Sequence, residues 1–104
     1  MTDTGAHDRI ALDTVVVAAD DQVSSDLADE KVILSVGSGR YFGLRGVGGR
    51  IWDLLKEPRR VVEIRDAILS EYEVEPDRCE RDVLDLVDKL VERGLVEIRS
   101  EAAQ

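Results

Sequence analysis

The spacing of hydrophobic residues changes along the chain, from alternate positions in the first half to helical spacing in the second. Residues 14–18 and 31–36 are rich in β-branched side chains and predict two strands, the first of them at the edge of a sheet. Residues 40–44 follow Gly37-Ser38-Gly39, a glycine-containing loop that favours a hairpin. The polar stretch 20–26 is interpreted as a connection. The pattern therefore predicts a three-stranded antiparallel sheet with residues 31–36 in the centre.

Helical spacing begins after Gly46, where apolar residues recur every three or four positions. Pro58 should end the first helix, and Gly94 suits the C-terminal cap of the third. The pattern predicts three helices and a last strand, at 47 to Pro58, about 60–71, about 76–93 and 95–98. The predicted fold class is α+β and winged helix-turn-helix-like: a small three-stranded antiparallel sheet, three helices and a short final strand.

The 104 residues are enough for one domain with a modest core. We expect a disordered tail over residues 1–12, a single domain over 13–98 and a second tail over 99–104. The N-terminus lacks a secretory signal pattern, and no apolar run approaches the length of a membrane span. These features favour a cytoplasmic protein with no membrane partner.

Single copies of cysteine and histidine narrow the chemistry that the chain can perform. Cys79 alone cannot form an internal disulfide or a cysteine-based zinc site, and its position on an apolar helical stripe favours a core role. His7 lies in the expected tail, which argues against catalysis by a serine or cysteine paired with histidine. The sequence therefore predicts a protein that is not an enzyme, with no metal and no cofactor.

The charge of the chain argues against binding to nucleic acid. Lys plus Arg is 14 and Asp plus Glu is 23, so the formal net charge is 14 − 23 = −9. In a winged-helix protein the third helix would read DNA, yet residues 77–93 carry four basic and six acidic side chains, 4 − 6 = −2. A helix inserted among phosphates needs the opposite sign. A DNA-binding regulator is therefore a disfavoured alternative.

The third helix has an apolar face wider than a single contact requires. With an advance of 100° per residue, its apolar side chains span about 160°, against the roughly 100° that one buried stripe needs. Two neighbouring helices could cover this arc, or one margin could line an open groove. Leu84, Val87 and Val91 lie on one margin, and Asp82, Leu86 and Lys89 lie on the other. The sequence leaves the choice of margin open.

The strand at 40–44 is the second candidate site, because it should lie at an edge of the predicted sheet. It contains no proline, lysine or acidic residue, the usual devices that block an exposed edge. An extended peptide could add there as a further strand, or the tail or last strand of the chain could cover it. Peptide binding is thus one of two readings of this edge.

Over about residues 14–98, the chain resembles the PqqD-like family. The resemblance rests on an ordered set of short runs: Gly39-Arg40-Tyr41-Phe42-Gly43-Leu44, Val47-Gly48, Arg50-Ile51-Trp52-Asp53-Leu54-Leu55, Val62 to Tyr72, Asp82-Val83-Leu84, Leu90-Val91 and Gly94-Leu95-Val96. Members of that family are recognition elements for ribosomally made, post-translationally modified peptides. The chain is most similar to the stand-alone members, which include those of lasso peptide clusters.

The resemblance implies a function in lasso peptide biosynthesis: binding the leader segment of a precursor peptide and presenting it to a leader peptidase and a macrocyclase. In this family the leader adds beside the strand that matches residues 40–44 and lies against the third helix. The implied peptide-binding residues are Arg40, Tyr41, Phe42, Gly43 and Leu44, with Asp82, Leu84, Leu86, Val87, Lys89 and Val91 on the helix. A peptide chaperone for pyrroloquinoline quinone biosynthesis and a small protein-binding adaptor remain alternatives.

Overall fold

The computed structural model describes residues 10–99 and contains six strands and three helices within that range. In chain order they are β1 (Val15–Ala18), β2 (Gln22–Leu27), β3 (Glu30–Ser35), β4 (Tyr41–Arg45), α1 (Val47–Leu54), β5 (Arg59–Arg60), α2 (Val61–Glu71), α3 (Pro76–Glu92) and β6 (Val96–Arg99). The strands form two antiparallel three-stranded sheets, and the helices follow the second sheet in the chain.

β1 is the central strand of the first sheet, whose strand order is β5-β1-β6. Val16 and Val17 point to opposite faces and are both buried, which is typical of a strand covered on both sides. The prediction that residues 14–18 form an edge strand is therefore wrong. β6 pairs along the whole of β1, with Val15 opposite Arg99.

The second sheet has the order β2-β3-β4, so β2 takes the place that the sequence pattern assigned to residues 14–18. The interpretation of residues 20–26 as a connection is wrong. The error arose because β2 has a polar sequence that resembles a loop. Only one face of this outer strand packs: Ser24 lies half-buried opposite Ile33, whereas Val23 on the other face is 57% exposed. The central position of β3 and the edge position of β4 are confirmed.

The helices lie close to their predicted bounds. α1 is shorter than expected, since its last residue, Leu54, lies four positions before Pro58, although Leu55 beyond it is fully buried. α3 begins at Pro76 and is followed by Gly94, whose φ of +80° is the left-handed conformation that favours glycine after a helix. Thus the helical half of the fold follows the sequence pattern closely.

One core joins the two sheets to the helices. Trp52, Ile33, Ile64 and Val87 are among its fully buried side chains, and they come from α1, β3, α2 and α3. Ile10 is 3% exposed and belongs to the same core, so the packed part of the chain already begins within the expected tail of residues 1–12. The remaining tail residues, 1–9 and 100–104, lie outside the described range.

The α+β class is confirmed, with a small antiparallel sheet before three helices and a strand after them. The winged-helix comparison is only a loose analogy, because the last strand joins β1 rather than the sheet that contains β4. Within residues 10–99, no helix combines the length and the apolar composition needed to cross a bilayer.

Candidate functional site

The outer edge of β4 carries backbone groups that no other described strand pairs with. The Ser35 amide donates a 2.8 Å hydrogen bond to the Arg40 carbonyl at the start of the β3–β4 hairpin. Backbone groups alternate sides along an antiparallel strand. Phe42 therefore bonds inward to β3, opposite Ile33, while the amides and carbonyls of Tyr41 and Gly43 point to the outer edge. This edge can accept a further strand.

The hairpin turn leaves the beginning of this edge accessible. Residues 36–40 connect the strands, and Gly39 takes a φ of +74°, which glycine adopts without strain. Tyr41, the first residue of β4, is 74% exposed. No strand within residues 10–99 pairs with this edge, which is the arrangement that strand addition requires.

α3 lies across a cleft from the inward face of β4. A Cβ built on Gly48, at the start of α1, would lie 3.5 Å from the Leu44 side chain and 3.8 Å from the Leu86 side chain. Leu44 and Leu86 therefore both border this glycine. Beside them, Asp82 and Lys89 line a cavity of about 340 Å³ together with Leu86 and the first residues of α1. The cleft thus has an apolar floor and charged walls.

The other end of the cleft lies where β4 begins and α3 ends. The Arg93 guanidinium carbon lies 4.9 Å from the centre of the Phe42 ring, a cation–π contact that joins the two elements. Arg40, Tyr41, Phe42 and Arg93 line a cavity of about 620 Å³ there. Arg93 was not among the candidate residues, although its spacing of seven from Leu86 and four from Lys89 places it on the same helical margin.

The structure places the two margins of α3 in different surroundings. Asp82, Leu86 and Lys89 line the cavity beside α1, next to Leu44. Val87 is fully buried in the core, and the other two candidates of its margin, Leu84 and Val91, are half-buried against that core. Asp82, Leu86 and Lys89 therefore border the cleft, whereas Leu84, Val87 and Val91 pack in the domain interior, against which Leu86 also packs.

Two ion-pair contacts fix the position of α1, which forms one wall of the cleft. The Lys31 ammonium on β3 lies 2.5 Å from Asp26 and 2.8 Å from Asp53, so it ties β2 and β3 to α1. The hydrogen bond to Asp26, with that to Asp53, raises the pKa of Lys31. Arg50 donates two 2.8 Å hydrogen bonds to Glu71 at the end of α2, and they lower the pKa of that carboxyl group.

Cys79 lines a further cavity of about 450 Å³ between α1 and the first turns of α3. It is 4% exposed, and burial raises the pKa of its thiol, so the reactive thiolate is disfavoured. No group of three or more potential metal ligands occurs among residues 10–99. The core role predicted for Cys79 agrees with this burial.

The cleft is built from β4, α1 and α3, and the same stretch of chain matches a known family. The family model of coenzyme PQQ synthesis protein D, PqqD, matches residues 30–96, from β3 into β6. The chain belongs to the PqqD family. A search of curated protein sequences found no significant match.

Three solved structures have a similar fold. TbiB1, in complex with the TbiA(beta) leader peptide, is 42% identical, with a TM-score of 0.73 over 82% of this chain and 99% of its own. A lasso peptide synthetase B1 complexed with its leader peptide is 27% identical, with a TM-score of 0.70 over 79% and 96%. The PqqD part of Methylobacterium extorquens PqqCD, a stand-alone recognition element, is 17% identical, with a TM-score of 0.72 over 90% and 99%, which shows the shared fold.

Proposed function

We propose that this chain binds the leader segment of a ribosomally synthesised precursor peptide by strand addition to β4. The observation that carries the proposal is the open β4 edge facing α3, in a chain 42% identical to a protein solved with a leader peptide. Backbone groups of Tyr41 and Gly43 pair with the added strand. Its inward side chains pack against Phe42, Leu44 and Leu86.

Lasso peptide biosynthesis is the pathway that the comparisons favour. The two leader complexes at 42% and 27% identity are more similar in sequence than the PqqD recognition element at 17%. In that pathway the chain delivers the bound leader to a leader peptidase and a macrocyclase. Delivery requires a surface that binds the leader peptide and later releases it. The chain itself catalyses no step of the pathway. A chaperone for the precursor of pyrroloquinoline quinone would use the same cleft with a different peptide.

Fluorescence polarisation with a labelled TbiA(beta) leader peptide tests this function. We expect a dissociation constant between roughly 1 µM and tens of nanomolar, or about −8 to −10 kcal/mol. A scrambled peptide of the same composition is the control, and the pyrroloquinoline quinone precursor peptide is the competitor. Hydrogen exchange should slow at the Tyr41 and Gly43 amides in the complex, because both become hydrogen-bonded.

Equal affinity for the leader and its scrambled control would contradict leader recognition. Preferential binding of the pyrroloquinoline quinone precursor would still support peptide binding, but it would assign the chain to quinone biosynthesis and not to lasso peptide biosynthesis. Mass spectrometry of the recovered peptide tests the non-catalytic role, and cleavage or modification by the purified chain alone would contradict it.

A further inference from the structure

Two cationic side chains, Arg40 and Arg93, line the end of the cleft where β4 begins, and Lys89 lies one helical turn before Arg93. Arg40 precedes β4, Lys89 lies in the last turns of α3, and Arg93 follows that helix. We call these three residues the basic end. Within residues 10–99 none of them forms an ion pair, unlike Lys31, whose charge is matched by two carboxylates. Their charges are therefore available to a ligand.

The geometry directs these cations towards the cleft. Lys89 and Arg93 are four residues apart and so share one face of α3. Lys89 lines the cavity of about 340 Å³ together with Asp82 and Asp85, whereas Arg40 and Arg93 line the cavity of about 620 Å³. Stacking on Phe42 holds the Arg93 guanidinium over the inward face of β4. Glu92 is the one acidic residue among the described residues that line the larger cavity.

The charge changes sign along α3. Around the cavity of about 450 Å³ beside the first turns of this helix, Glu73, Glu75 and Asp82 outnumber the single cation Arg78. The chain as a whole carries a formal charge of −9, so an acidic peptide is repelled over most of the surface. Screening limits that repulsion to about 8 Å at physiological salt, and a local group of cations can therefore attract a carboxylate.

Strand addition needs such a contact for selectivity. Backbone hydrogen bonds form with any extended peptide, so discrimination has to come from side chains. We propose that the basic end binds an acidic side chain of the leader segment, which it receives across from the start of β4. This inference rests on the proposed leader-binding function and names the chemistry that one end of the cleft selects. Arg93, held by Phe42, is the principal contact, with Lys89 and Arg40 beside it.

Binding of the labelled TbiA(beta) leader peptide to Arg93→Gln and Lys89→Gln tests the proposal. Each variant should bind roughly five- to twentyfold more weakly, because a charge-assisted contact is lost. The matched control is Arg81→Gln, because Arg81 is not among the residues that line the two cavities of the cleft and lies about 120° around α3 from Arg93. Arg81 is exposed and forms no ion pair with another residue in the described range. The control should bind within about twofold of the unmodified chain.

A peptide scan identifies the carboxylate. Each Asp or Glu of the TbiA(beta) leader is changed in turn to Asn or Gln. One such change should weaken binding to the unmodified chain but cause no further loss of affinity in the Arg93→Gln variant. This is expected because the peptide carboxylate and Arg93 form a single contact, which either change removes. The proposal is overturned if Arg93→Gln and Lys89→Gln bind as tightly as Arg81→Gln, or if every peptide change is additive with them. If the unmodified chain binds no leader at all, the proposed function itself fails.

Discussion

Phe42 pairs with Ile33 across the β3–β4 ladder, whereas its neighbour Tyr41 directs its backbone to the outer edge. Proline at the two positions should therefore have opposite consequences, because proline removes the amide hydrogen at each. Tyr41→Pro should remain folded and bind leader peptide at least about tenfold more weakly, equivalent to about 1.4 kcal/mol. Phe42→Pro should lose folding, since it removes a ladder bond and a ring packed on the core.

Circular dichroism and fluorescence polarisation measure the two effects separately. Tyr41→Thr is the control, because it keeps the amide and suits a strand. Leader affinity unchanged in a folded Tyr41→Pro variant would mean that the peptide does not pair with β4.

Leu86 and Leu84 offer a matched pair on α3, since both are half-buried leucines on different margins of the helix. Aspartate at either position should lower the free energy of unfolding by about 1–3 kcal/mol, because a charge replaces packed apolar surface. Only Leu86→Asp should also weaken leader binding in the folded state, since Leu86 lines the cleft. Urea unfolding and leader titration measure both quantities, and a loss of affinity confined to Leu84→Asp would place the peptide on the other margin.

The Arg50–Glu71 pair predicts a specific dependence of stability on acid. Arg50 lowers the pKa of Glu71 below its ordinary value of 4.5, so the folded state holds this carboxylate ionised to lower pH than the unfolded state does. The pair stabilises the fold above that value, and its contribution disappears as pH falls through the lower, folded-state pKa. Glu71→Gln should therefore be less stable than the unmodified chain at neutral pH and equally stable in strong acid.

Urea unfolding between about pH 7 and pH 3 measures this convergence. Glu73→Gln is the control, as Glu73 forms no ion pair with another described residue. A stability difference between Glu71→Gln and the unmodified chain that stays constant down to the acid limit would contradict the assignment.

Binding to duplex DNA tests the alternative that the chain is a winged-helix DNA-binding regulator. A chain of formal charge −9 can neutralise few DNA phosphates, so its binding would release few of the counterions condensed on the DNA. We expect no complex stronger than about 10 µM at physiological salt by electrophoretic mobility shift. Sub-micromolar binding with a steep salt dependence would restore the DNA-binding alternative.

The helices were predictable because apolar periodicity, Pro76 and Gly94 all pointed to the same bounds. The strands were harder. β2 has a polar sequence because it is an outer strand with one packed face. β1 pairs with β6, which lies about 80 residues further along the chain. Local pattern carries no information about such a distant partner.

The site was predictable in part. The edge position of β4 and the wide apolar arc of α3 could both be read from the sequence. The margin that faces β4 could not, because it depends on how α1 packs: Gly48 of α1 is bordered by Leu44 of β4 and by Leu86 of α3. Arg93 was missed because its contact with Phe42 joins two elements that are far apart in the chain.

The pairing of Val15 with Arg99 brings the start of the first strand and the end of the last strand side by side, in the sheet that does not contain β4. The first and last strands are thus neighbours of each other and not of β4. An added strand at the outer edge of β4 extends the second sheet and leaves the ladder that joins β1 to β6 unchanged.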